Sequence, residues 1–80
     1  MNEVTFIYFG YTRVDFPKTA ELLPNETLDE LIHRVVRSLG VDPAMFLGEN
    51  LVMKAGVRME PGMEVLPGDR IHIFPTNTLG

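Results

Sequence analysis

Hydrophobic and polar positions follow two different periods along the chain. Val4-Thr5-Phe6-Ile7-Tyr8-Phe9 is a run of aromatic and β-branched residues that closes at Gly10, which predicts a strand. Val14 and Phe16 then alternate with Arg13 and Asp15, the period of a half-buried strand. Tyr11 to Phe16 is therefore expected to fold back on the first run as an antiparallel hairpin, closed by Pro17, which cannot donate to a ladder. Beyond it the period lengthens. Leu28, Leu31, Ile32, Val35, Val36 and Leu39 fall on one helical face. Thr27 and Glu30 have the spacing of a capping box, in which each side chain satisfies the other's free backbone N–H. Asp29 and Glu30 in the first turn, with Arg34 and Arg37 further along, suit the helix dipole. Gly40 supplies the left-handed stop, so the pattern predicts a helix over 28–39.

Asp42-Pro43 reads as a cap followed by proline at the first helical position, opening one short turn through Phe46. Leu51 to Ala55 predicts a strand leading to Gly56, and Pro61-Gly62 and Pro67-Gly68 mark turns. Arg70-Ile71-His72-Ile73-Phe74 alternates up to Pro75, which sends Ile71 and Ile73 to the core and Arg70, His72 and Phe74 to the outer face. In the first strand Val4, Phe6 and Tyr8 share one face and Ile7 and Phe9 the other. One set must leave the core, which favours an interface on the sheet. The order strand, strand, helix, strand, short strand or turns, strand gives an α+β fold in which one main helix covers a four- to five-stranded mixed sheet. Residues 1–75 form one domain, and residues 76–80 follow as a tail expected to be flexible.

Composition narrows the function classes. Seven Lys and Arg against eleven Asp and Glu give a formal net charge of −4, with no cationic cluster of the kind that binds phosphate backbones. With no cysteine, a disulfide framework, a thiol nucleophile and a thiolate metal site are all excluded. Met1-Asn2-Glu3 lacks the basic start of a signal peptide, and Phe6–Phe9 is far too short to span a bilayer, so a cytoplasmic protein free of membrane is expected. His33 and His72 are not spaced as metal ligands, and Glu60 and Glu64 read as turn or surface carboxylates. Met45, Met53, Met59 and Met63 read as core fillers. No phosphate loop or nucleophile elbow is present, so no active site of its own is expected.

The stretch Pro67-Gly68-Asp69-Arg70-Ile71-His72-Ile73-Phe74-Pro75-Thr76-Asn77-Thr78-Leu79-Gly80 carries a resemblance. A Gly-Asp turn, an alternating strand closing in Phe-Pro and a short tail to a terminal glycine resemble the ending of MoaD/ThiS-type sulfur carriers, which are β-grasp, ubiquitin-like proteins that include the small subunit of molybdopterin synthase. The family ends in Gly-Gly, where this chain has Leu79-Gly80. The resemblance implies a carrier, not an enzyme. A ubiquitin-activating-type enzyme would use ATP to adenylate the Gly80 carboxylate, a sulfur donor would convert it to a thiocarboxylate, and a synthase large subunit would take the sulfur for molybdopterin, thiamine or a related thiolation. No cofactor is held by the carrier itself. Phe9, Phe74, Pro75, Thr78 and Leu79 are the expected partner contacts. Two other readings stay open. One is a non-conjugating β-grasp adaptor or small subunit binding through its sheet face. The other, a TGS-like nucleic-acid module, is disfavoured by the acidic charge.

Overall fold

A computed structural model describes residues 2–10 and 15–76. Seven elements follow in chain order: β1 (Glu3–Tyr8), β2 (Thr19–Glu21), α1 (Leu28–Ser38), α2 (Pro43–Glu49), β3 (Asn50–Lys54), β4 (Val57–Arg58) and β5 (Arg70–Pro75). The strands form one sheet in the order β2-β1-β5-β3-β4. The central pair β1–β5 is parallel and every other pair is antiparallel, so the sheet is mixed. A parallel neighbour requires a crossover, and α1 lies within it. This is the α+β, β-grasp arrangement.

The main helix forms where its signals stand. Thr27 Oγ1 accepts from the Glu30 N–H at 3.4 Å and Glu30 Oε1 accepts from the Thr27 N–H at 3.0 Å, which completes the capping box. At the other end the Gly40 N–H reaches the Arg37 carbonyl and the Val41 N–H reaches that of Val36, a Schellman closure. That closure places Gly40 at φ +78°, the left-handed region glycine enters without cost. Leu28, Leu31, Ile32, Val35 and Val36 are buried against Val4, Phe6, Val52, Ile71 and Ile73 of the sheet. Ile71 and Ile73 are fully buried, as alternation requires.

The second strand differs from expectation. It is Thr19–Glu21, with Thr5 opposite Thr19 and Glu3 opposite Glu21. Asp15, Phe16 and Pro17 lie outside any strand, and Tyr11–Val14 fall outside the described residues. Proline at 17 displaces pairing to the residues after it, where the Phe6 N–H donates to the Lys18 carbonyl and the Leu22 N–H to that of Asn2. Phe16 still packs inward through its ring: it meets Phe6 edge-on at 5.1 Å and stacks on Tyr8 at 5.1 Å and Phe46 at 5.7 Å. Its apolar character reports an aromatic cluster and not a strand.

The short turn after Gly40 is also longer than expected. Asp42 caps a seven-residue helix, α2, whose Pro43 and Phe46 are buried. The buried Asn50 amide donates to the Phe46 carbonyl at 3.1 Å, which satisfies the end of α2 as the chain turns into β3. Ala55 and Gly56 both take positive φ, the two-residue turn that joins β3 to β4. Met59 and Met63 pack on the core, whereas Met45 is 62% exposed.

Candidate docking face

Strand register sorts the side chains of the sheet's outer face into rows. Phe74 lies opposite Leu51, and Met53 lies opposite both His72 and Arg58. His72 also neighbours Ile7, and Arg70 neighbours Thr5. The chain leaves β1 with the Phe9 N–H donating to the Ile73 carbonyl at 2.9 Å, which keeps Phe9 beside β5. From the end where β1 and β5 finish, the outer face therefore reads Phe9, Phe74 and Leu51, then Ile7, His72, Met53 and Arg58, then Thr19, Thr5 and Arg70, and last Glu21 and Glu3. The face grades from apolar, through basic, to acidic.

Three rings hold the apolar end together. Phe9 and Phe74 stack with centroids 4.8 Å apart and planes 2° from parallel. His72 lies 6.2 Å from Phe74 and 6.4 Å from Phe9, each within 10° of parallel. Phe9 remains 49% exposed, and Phe74 and His72 are half-buried. Stacking fixes the rings without removing them from solvent, leaving a rigid apolar surface of the type that anchors interfaces. Arg58 and Arg70 are exposed beside it. This end of a chain of net charge −4 thus presents cations next to aromatics.

Sequence reasoning placed Phe9, Phe74 and Pro75 at a docking site, and the fold brings the three together at one end of the sheet. Pro75 is the last residue of β5 and lies opposite Asn50. The next residue, Thr76, donates its N–H to the Glu49 carbonyl at 2.9 Å and its hydroxyl to the Gly48 carbonyl at 3.4 Å, so the chain leaves the sheet against the end of α2. Thr78, Leu79 and Gly80 lie outside the described residues. Leu51 and Arg58 carry no signal for this face in the sequence, and Met53 reads there as a core filler. Leu51-Val52-Met53 is apolar on both faces, so only its register with Phe74, Ile73 and His72 reveals which residues point outward.

Perturbed carboxyl groups sit on the helix side of the sheet. A bidentate hydrogen bond from Arg34, at 2.8 and 2.9 Å, holds Glu26 below its ordinary value and raises Arg34 in turn. Burial pushes Asp29 up. Hydrogen bonds from the Thr27 hydroxyl and the Gly62 N–H, with the charge of His33, outweigh that and leave it lowered. These groups order the start of α1. An open depression of about 520 Å³, lined by Leu22, Leu23, Val65 and Leu66, lies at the end of the domain opposite Phe9 and Phe74. Among the described residues no group of three His, Cys, Asp or Glu is placed to hold a metal ion, and no helix is long and apolar enough to cross a membrane.

No family model matches the chain, and no curated protein matches it. A solved solution structure does match, that of a computationally designed protein based on the template of human erythrocytic ubiquitin. It superimposes over 100% of this chain and 98% of that one, with a TM-score of 0.63 and 20% sequence identity. The fold is ubiquitin-like. At that identity the likeness concerns the backbone arrangement. The graded outer face of this ubiquitin-like domain is described by its own side chains.

Proposed function

We propose that this ubiquitin-like protein is a sulfur carrier whose C-terminal Gly80 is the reacting group and whose outer sheet face docks on the enzymes that load and unload it. The observation that supports this most directly is the coincidence of two features at one end of the sheet. The stacked Phe9–Phe74 rings lie beside the point where Pro75 and Thr76 lead out of β5 toward Gly80. A partner that grips the rings has the tail within reach of its active site.

In this reading the Gly80 carboxylate oxygen attacks the α-phosphorus of ATP on an activating enzyme, pyrophosphate leaves, and an acyl adenylate forms. Hydrosulfide supplied by a sulfur donor then attacks the acyl carbon and AMP leaves, giving the thiocarboxylate. Transfer of that sulfur to a biosynthetic partner such as a synthase large subunit, with hydrolysis by water, returns the Gly80 carboxylate. The carrier contributes its terminal carboxylate. Glycine at the reacting position has no Cβ to obstruct a narrow channel and reaches backbone angles closed to other residues. Leu79 and Thr78 make the last contacts before the reacting carbon, with Leu79 as an apolar anchor. No cofactor is bound by the carrier, and ATP is consumed by the activating partner.

Intact mass after incubation with ATP, a sulfide source and an adenylating enzyme tests the reading. Replacement of one oxygen by sulfur, abolished by deleting Gly80 or by adding one residue after it, supports the carrier. An unchanged mass beside a control carrier thiolated in the same reaction sinks it. Leu79 in place of a penultimate glycine favours a second reading, a non-conjugating adaptor or small subunit. A chain truncated after Pro75 distinguishes them: both readings keep the partner through the outer face, but only an adaptor keeps the activity of the complex, because a carrier has lost its reacting group.

A further inference from the structure

The free edge of β2 carries a feature independent of the docking face. In an antiparallel pair, residues that exchange hydrogen bonds alternate with residues whose N–H and C=O point away from the partner. Phe6 to Lys18 and Leu22 to Asn2 are bonded, which puts residues 18, 20 and 22 in register to face β1. On β1, the Thr5 N–H instead donates to Asp69 and the Glu3 carbonyl accepts from Gly68, both toward β5. Thr19 and Glu21 therefore aim their backbone groups outward at the sheet's edge. An exposed row of this kind is a template for another strand.

That row is occupied from α1. Arg34 Nη2 donates to the Glu21 carbonyl at 2.7 Å while the same guanidinium holds both oxygens of Glu26. Glu26 Oε1 in turn accepts the outward Leu23 N–H at 3.1 Å. One ion pair thus takes up a carbonyl and an N–H at the C-terminal half of the edge. The Glu26 side chain is only 6% exposed and that of Arg34 39%, so the carboxylate is packed down and holds a guanidinium that stays at the surface.

We propose that the Arg34–Glu26 pair is a lock on a strand-docking edge, and that the occupant when the lock opens is β2 of a second copy of this chain. The edge is self-complementary about Ala20. In a two-fold antiparallel pairing Thr19 of one copy lies opposite Glu21 of the other. Both members of each pair point outward, so two such pairs close four backbone hydrogen bonds. Two of those bonds need the Glu21 carbonyls that Arg34 now fills. Across the new seam each Glu21 side chain meets Thr19 of the other copy, and the one carboxylate directly opposite Glu21 is Glu3 of its own chain, already present in the monomer. With the lock shut, the chain stays monomeric and the outer face stays clear.

Sedimentation equilibrium of the full chain over a wide concentration range tests the proposal with Arg34→Met, which removes the guanidinium donor but keeps an unbranched apolar stem and a similar helix propensity. Self-association is expected to tighten by roughly ten- to a hundredfold over the wild type, the factor one charge-assisted hydrogen bond carries. Adding Thr19→Pro removes an outward N–H at a position where an edge strand tolerates proline, and it is expected to return the monomer. Folding is followed by far-UV circular dichroism. Should Arg34→Met fail to fold, Glu26→Gln weakens the same pair while keeping an acceptor for Leu23 N–H, with identical expectations. A folded lock variant that stays monomeric overturns the proposal. So does a dimer that survives Thr19→Pro, since the second copy or any other partner would then be held elsewhere.

Discussion

If Phe9 and Phe74 form one rigid unit, their contributions to stability must be coupled. Phe9 is 49% exposed, so truncation to Ala forfeits about half of the ~1.5–3 kcal/mol that full burial of a Phe side chain contributes, roughly 1 kcal/mol. Phe74 is more buried and packs on Leu51 as well as on Phe9, so Phe74→Ala costs somewhat more from area alone. Near-parallel rings 4.8 Å apart add about 0.5–1.5 kcal/mol beyond area, and either single change loses all of it. Each single variant is thus expected to lose roughly 1.5–3 kcal/mol. The double variant is expected to lose about 1 kcal/mol less than the sum, because the stacking is removed only once. Urea unfolding at neutral pH measures all four corners of the cycle, and equal m-values confirm that the denatured states are comparable. Ile73→Ala provides the scale. It is one residue away but fully buried on the opposite face, and its cavity should cost about 2–5 kcal/mol. Losses from Phe9→Ala and Phe74→Ala that add within ~0.3 kcal/mol would refute the stack, and with it the pre-organised anchor.

Three further outcomes follow from local geometry. Gly40→Ala leaves a Cβ that touches nothing within 4 Å, so its cost is the left-handed backbone alone, about 1 kcal/mol by urea midpoint. Asn50→Ala strips the buried donor from the Phe46 carbonyl and should cost about 1–3 kcal/mol, read by thermal unfolding. Glu26 is held below its ordinary value, so its contribution is fully present above that value, near 4.5, and is lost as pH falls through the lower folded-state value. Urea midpoints should accordingly fall on acidification below about pH 4.5, and less steeply in Glu26→Gln.

Signals carried by local chemistry were legible in the sequence. The capping box of Thr27 and Glu30, the stop at Gly40 and the apolar stripe of α1 depend on residues within one or two turns of each other. Ile71 and Ile73 were legible because their alternation is strict. What failed was decided by distant pairing. Val14 and Phe16 alternate with charge like a strand, yet pairing with β1 begins after Pro17, on a polar Lys18-Thr19-Ala20-Glu21 that has no apolar rhythm at all. The same limit applies to the docking face. Phe9 and Phe74 were found because they are aromatics out of phase with their strands, whereas Leu51 and Arg58 acquire their place only from cross-strand register.

The sheet's two faces and one of its edges are put to different uses, and that division bears on how such a protein meets partners. The inner face is spent on α1, whose five buried apolar residues leave it nothing to share. On the β2 edge Arg34 takes up the Glu21 carbonyl, which limits main-chain pairing there. The broad surface left to side-chain contacts is the graded outer face. A uniformly apolar face would accept a partner in several orientations. A gradient from aromatic, through Arg58 and Arg70, to Glu3 and Glu21 accepts one whose own surface runs from apolar to acidic to basic, and rejects the reverse by like charge. That single orientation fixes which part of the partner faces Pro75 at the end of β5. In the carrier reading proposed above, this is the constraint a terminus needs to be offered to one active site and then another, through contacts limited enough to release.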